Sequence, residues 1–224
     1  LLFIDDDGGS RTDKYITDSL SALGINFTSW DVEKRGAPPL TAINPVSVIW
    51  NTGNMQGQVL SPDEITEIRN YLASGGAFCI TGDEWADELA SDSVMHTLFK
   101  AYVVSTDAAP VNQIGLSLLA GFSFSLPDIA VYRDRLSPLE GADLVSADST
   151  DTSCGSIALA HTSDTSGPAV SSAFDISAMA EPAKSALIEK LISIITRPEI
   201  ISVTPYNSSV SAAWRTYNSV RSVE

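Results

Sequence analysis

Three short apolar runs in the first 85 residues each break into a small polar turn, and that rhythm leaves few folds open. Residues 1–4 lead into Asp5-Asp6-Asp7-Gly8-Gly9, residues 46–50 into Asn51-Thr52-Gly53, and residues 77–81 into Gly82-Asp83-Glu84. Helical patterns lie between them. Ile16, Leu20 and Leu23 recur at i, i+4, i+7 and Gly24 follows as a stop. Ser61-Pro62-Asp63-Glu64 carries a cap, a proline at the first helical position and the S-x-x-E capping box. Ile65, Ile68 and Leu72 continue that helix as an apolar stripe, and Gly75-Gly76 ends it. A further strand is expected over residues 25–30, with residues 31–40 as a loop carrying Gly36, Pro38 and Pro39.

Strands alternating with helices through short connections predict an α/β fold: a doubly wound, mostly parallel sheet with helices on both faces. In such a fold the strand-end turns gather at the carboxyl edge of the sheet, where open α/β proteins bind ligands. A helix is expected over residues 85–99, and an insertion of loops and small strands over 102–152. Strands at 157–160 and 169–174 and a helix at 181–195 complete the domain. Arg197-Pro198 closes it. Residues 200–203 and 210–214 read as two opening strands of a β-sandwich, either a truncated neighbour or strands added to the main domain. The expected division is therefore residues 1–197 and 198–224.

Hydrophobic residues make up 44% and charged residues 18% of the chain, which suits a packed core. Thirteen basic against 28 acidic side chains give a net charge of −15. Such a surface repels phosphate backbones and anionic headgroups, which argues against nucleic-acid and membrane-surface partners. No apolar run reaches the roughly 20 residues of a membrane-spanning helix, so membrane insertion is not expected. The Ser-, Thr- and Asp-rich, Lys-poor composition suggests a secreted or envelope protein. The chain opens inside a strand, so upstream residues are expected in the native precursor. Cys79, in an apolar run, reads as a small buried hydrophobe, and a Cys79–Cys154 disulfide is the less favoured alternative.

The segments 1–9, 48–53 and 72–84 together resemble class I glutamine-amidotransferase-like domains, a flavodoxin-like α/β architecture. More narrowly, they resemble the version embedded in large secreted bacterial multidomain proteins. The tail from Pro198 resembles the start of a fibronectin type III-like module with Trp214 as its core tryptophan. Catalytic members of that family carry a Cys on the sharp turn after the third of these strands, and a His and an acid after a late strand. Here the turn carries Gly82-Asp83-Glu84, Cys79 lies three residues too early, and the late strand runs into Asp175-Ile176-Ser177. Amidotransferase chemistry is therefore not expected. The resemblance implies an interaction, spacer or ligand-binding domain of a larger exported protein, whose partners are its neighbouring domains and a small polar ligand or protein.

Asp6, Asp83 and Glu84 are the residues on which carboxylate chemistry could rest, as acid–base groups or as oxygen ligands for Ca²⁺ or Mg²⁺. A hydrolase built on them is the alternative function. The fold itself requires no cofactor. The ligand-binding set is Asp6, Asp7, Asn51, Gly53 and Asp83, with Thr52 as a further hydroxyl contact. Asp5 and Asp7 are otherwise explained by turn and cap chemistry. Cys154 and His161 are seven apart, which on one strand would point them to opposite faces. His161 with Asp164 is a weaker pairing, and His96 reads as a surface residue of a helix. Asp148 and Asp151 are expected in a solvated loop.

Overall fold

The computed structural model describes residues 1–55, 57, 59–106, 112–126, 133–161 and 167–196, and the backbone alone of 199–206, 209–216 and 219–223. In chain order, the first half comprises β1 (Leu2–Asp5), α1 (Thr12–Ala22), β2 (Thr28–Asp31), α2 (Val32–Arg35), α3 (Leu40–Ile43), β3 (Ser47–Gly53), α4 (Pro62–Ala73), β4 (Ala77–Gly82), α5 (Trp85–Glu88) and α6 (Ser93–Thr97). Strands β5 (Ala101–Ser105), β6 (Asn112–Gly115), β7 (Ser123–Ser125), β8 (Arg135–Pro138), β9 (Ala142–Asp148), β10 (Ile157–Ala160) and β11 (Ala169–Ser172) follow. Helix α7 (Ala183–Thr196) and strands β12 (Glu199–Tyr206), β13 (Ser209–Thr216) and β14 (Ser219–Val223) end the described chain.

Among the described residues, nine strands form one sheet in the order β2-β1-β3-β4-β11-β10-β9-β6-β7. The strands from β2 to β11 pair in parallel, and from β11 onward each neighbour is antiparallel. Only β10 and β6 therefore run against the rest, and the sheet is mostly parallel. The mixture follows from the connections. Helical crossovers return β1, β3 and β4 to the same edge, whereas the short links around β9–β11 permit hairpin-like reversal.

Alternation along the parallel strands builds two cores. Leu2, Ile4, Val48, Trp50, Phe78 and Ile80 pack on the side that holds α4, while Phe3, Ile49 and Cys79 pack with Ile16 of α1 and Leu187 and Leu191 of α7. Helices thus cover both faces, as the doubly wound reading requires. The capping box forms: the Ser61 hydroxyl accepts from the Glu64 amide at 3.3 Å, and Glu64 Oε2 accepts from the Ser61 amide at 2.6 Å. Ser61→Ala is expected to lower stability by about 1 kcal/mol in a denaturant melt; no change would show that α4 is held by packing alone.

Several local expectations change. Residues 31–40 hold a short helix, α2, because Asp31 accepts from the Lys34 amide at 2.9 Å and caps it. The helix expected over 85–99 divides into α5 and α6, the second restarted by Asp92 accepting from the Val94 amide at 2.7 Å. The region 102–152 does not stand outside the fold: β6, β7 and β9 extend the main sheet, while β5 and β8 pair separately. The C-terminal segment forms three strands rather than two, in an antiparallel sheet of its own. Trp214 lies on β13, where only the backbone is described.

Candidate functional site

The carboxyl ends of β1, β3, β4 and β11 meet at one edge, and every strand-end residue singled out from the sequence is carried there by one of the first three. What the sequence leaves open is which side each carboxylate takes. Strand alternation continues past β1. Asp6 turns toward the α4 side, 7% exposed, where its Oδ2 accepts from Trp50 Nε1 at 2.8 Å. Burial, and then the facing Glu64 carboxylate, push Asp6 up to about 8 against the opposing Trp50 hydrogen bond.

Asp5 and Asp7 take the α1 side. Asp7 Oδ2 accepts from the Thr12 amide at 2.6 Å, the Thr12 hydroxyl at 2.9 Å and the Asp13 amide at 3.2 Å, so it caps α1 from five residues upstream. The ordinary cap position, Arg11, makes no side-chain cap bond. Asp5, Asp7 and Asp13 bring one oxygen each to within 4.8 Å of one another. They line a half-open cavity of about 260 Å³ with Arg11, Glu33 and Lys34. Burial, followed by Asp7, Asp13 and Asp31, raises Asp5 to about 7. The expected oxygen-ligand trio of Asp6, Asp83 and Glu84 does not gather in this way among the described residues, because Asp6 faces α4 while Asp83 lies between β4 and β11.

Asn51 and Thr52 are fully buried and committed internally. Asn51 Nδ2 donates to Thr12 Oγ1 at 3.0 Å, its Oδ1 accepts from the Gly53 amide at 3.3 Å, and the Thr52 hydroxyl donates to the Thr81 carbonyl at 3.3 Å. These side chains hold the turns together. Gly53 packs so closely on Thr12 and Asp7 that a Cβ there would lie 2.6 Å from Thr12 Oγ1.

Asp83 is 4% exposed. Its amide donates to the Gly53 carbonyl at 2.8 Å and its Oδ1 accepts from the Asp175 amide at 3.0 Å. Burial raises it to about 7, opposed by that hydrogen bond and by the Arg133 guanidinium. Glu84 follows at φ 67° ahead of α5, partly exposed. Asp175 caps the 3₁₀ turn 176–178 through the Ser177 amide and hydroxyl, at 2.8 and 2.7 Å. Burial raises it too, and Asp7 faces it across the edge.

Cys79 lies inside β4, 2% exposed against Ile16, Ile49 and Leu191, and burial pushes its thiol up to about 12. Both cysteines are free. Cys154 is not on β10 with His161; it occupies the preceding turn, its thiol 3.6 Å from Asp151 Oδ2. His161 Nε2 lies 3.0 Å from Asp143 Oδ2 at the surface, and its expected partner Asp164 is outside the described residues. His96 is exposed, as its helical setting suggested. Asp148, expected in a solvated loop, is instead fully buried at the end of β9. Burial raises it, but hydrogen bonds from Thr150 and Arg135 outweigh this and hold it below the usual carboxylate range. Sequence reasoning passed over Arg133, Asp134, Asp13 and Trp50. Asp13 carried a faint signal as an acid in a first helical turn, and the others carried none.

No helix among the described residues is long and apolar enough to cross a membrane. No family model matches the chain, and no curated protein does. Among solved structures, a glutamine amido transferase from Methylobacillus flagellatus superposes with a TM-score of 0.52 at 12% identity, covering 88% of this chain and 75% of that one. At that identity the likeness carries architecture and no chemistry: the chain has a mostly parallel, flavodoxin-like α/β fold, as that transferase does.

Proposed function

We propose that this chain is a non-catalytic amidotransferase-like domain of a larger exported protein, serving as an interaction or ligand-binding module at its strand-end edge. One observation carries the reading. The turn after β4, where the family places its nucleophile, holds Asp83, buried and tied to the Asp175 amide. The nearest thiol, Cys79, is held protonated in the core beneath it. A carboxylate engaged in this way positions backbone rather than attacking a carbonyl. Neighbouring domains of the same polypeptide, or a small polar molecule, are the partners this reading implies. The expected result is no ammonia release from glutamine by the wild-type chain, and an Asp83→Asn variant within about 1 kcal/mol of wild-type stability, since the amide oxygen preserves the acceptor. Hydrolysis abolished by Asp83→Asn would overturn it.

A second reading, a carboxylate hydrolase assisted by Ca²⁺ or Mg²⁺, draws on Asp5, Asp7 and Asp13, whose oxygens lie within 4.8 Å of one another beside the half-open cavity, with Asp5 raised to about 7. It requires turnover on an ester, amide or glycoside panel. It also requires stabilisation by the ion, about 2.7 kcal/mol at a hundredfold excess over Kd. Absence of both removes it.

A further inference from the structure

Away from the carboxyl edge, residues 26–28 read Asn-Phe-Thr, the acceptor sequence for attachment of a glycan to asparagine. Such a triplet is a weak signal in a Ser- and Thr-rich chain; its setting in the fold is what gives this one weight. The segment leaves α1 through Gly24, at φ 70°, and enters β2 at Thr28. Backbone hydrogen bonds pin it on either side, from the Ile25 amide to the Leu20 carbonyl and from the Thr28 amide to the Leu1 carbonyl, each at 3.0 Å. Between those anchors Phe27 turns inward, partly buried and edge-on to Phe3 with ring centroids 6.4 Å apart. Asn26 and Thr28, to either side of it, are both exposed, as alternation in an extended segment requires. The amide that would carry the sugar and the hydroxyl that a transferase reads are thus presented together on a pinned surface loop. There is also room for a bulky group. Among the described residues β2 pairs with β1 alone and forms an outer edge of the sheet. Asn26 precedes the amino end of β2, so roughly 10 Å of strand separates a glycan there from the carboxyl edge, which stays open.

We propose that Asn26 is an N-glycosylation site, modified as the chain crosses a membrane that carries an oligosaccharyl transferase, a site that rests on the reading of an exported protein above. The donor is an oligosaccharide linked to a polyprenyl pyrophosphate. The bond from the sugar's anomeric carbon to the pyrophosphate oxygen breaks, its electron pair leaving on the phosphate. A bond from that carbon to Asn26 Nδ2 forms, and the amide gives up one proton. Thr28 supplies the hydroxyl that the transferase requires and is itself unchanged.

The full chain, secreted from a eukaryotic cell behind a supplied export signal, is mapped by mass spectrometry before and after enzymatic release of Asn-linked sugars. Peptide mapping separates Asn26 from the one other triplet of this kind, Asn207-Ser208-Ser209, whose first two residues lie outside the described residues. Sugar is expected on Asn26 in the wild-type chain and in Thr28→Ser, which keeps the hydroxyl. It should be lost in Asn26→Gln, and also in Thr28→Ala, where Asn26 itself is intact. These variants change only exposed side chains, so secreted yields should match wild type. A bare Asn26 in the secreted wild-type chain, or modification that persists in Thr28→Ala, would overturn the proposal. Because the signal is supplied, a bare secreted chain faults the site and leaves the exported-protein reading untouched. Recovery of the chain from the cytosol of its own host would instead sink that reading and, with it, any donor for Asn26.

Discussion

Gly82→Ala is expected to cost about 3 kcal/mol or more, because two independent penalties fall on one methyl group. Gly82 adopts φ 150°, which disfavours any side chain, and a Cβ there would sit 1.9 Å from Thr52 Oγ1 and 2.9 Å from the Gly53 carbonyl oxygen. Thr52 is fully buried and its hydroxyl donates to the Thr81 carbonyl, so it has no free rotamer into which to retreat. For a chain of this size the loss corresponds to a fall in Tm of roughly 6–12 °C. The clash also has a partner to test. Thr52→Ala removes the nearest atom, so the double variant should recover more than about 1 kcal/mol relative to the sum of the single changes. A Gly82→Ala melt indistinguishable from wild type would mean that the β3 and β4 ends are not pressed together as described. The turn carrying Asp83 depends on that approach, since the Asp83 amide reaches the Gly53 carbonyl across it.

Stability is expected to fall as pH rises from about 5 to about 8, opposite to the trend of a protein held by surface carboxylate salt bridges. Asp6 and Asp83 rise from an ordinary 3.8 to about 8 and about 7 on folding, chiefly through burial. The folded chain therefore binds protons that the unfolded chain releases. The stabilisation is complete below the unfolded value and is lost as pH passes through the folded one. For Asp6 alone, the change between pH 5 and pH 8 is on the order of 3 kcal/mol. Asp6→Asn retains an acceptor for Trp50 Nε1 and cannot ionise. It should flatten the profile and raise stability at pH 8 while changing little at pH 5. Asp148, held below the usual range, acts in the opposite direction but at acidic pH, outside this window. Chemical denaturation at several pH values decides the matter: a level wild-type profile, or an Asp6→Asn variant no more stable than wild type at pH 8, would contradict the buried setting of Asp6.

Local chemistry was legible wherever a signal is short in sequence. The Ser61–Glu64 box, the stripe of Ile16 and Leu20, and the strands ending at Asp5, Asn51 and Gly82 all rest on interactions within a few residues, so propensity and periodicity reveal them. The run from Trp85 to Phe99 was harder. Its apolar residues look continuous, but Asp92 caps a new helix in the middle, and a cap inside an apolar run is a weaker signal than one ahead of it. The antiparallel half of the sheet was least legible. Short strands such as β6, paired with β9 about thirty residues away, and β7, paired in turn with β6, gain their stability from those partners rather than from their own sequence.

For the site, the sequence by itself determined the doubly wound plan and the placing of Asp6, Asn51 and Asp83 on strand-end turns at one edge. Only the tertiary structure decided that Asp6 faces Trp50 and Glu64 on the α4 side, that Asp5 and Asp7 meet Asp13 on the α1 side, and that Asp83 takes the Asp175 amide across the ends of β4 and β11. The reason is physical. Hydrogen-bonding propensity acts between near neighbours in the chain. Burial, the charge a carboxylate keeps, and the group that covers it depend on residues brought together from far apart.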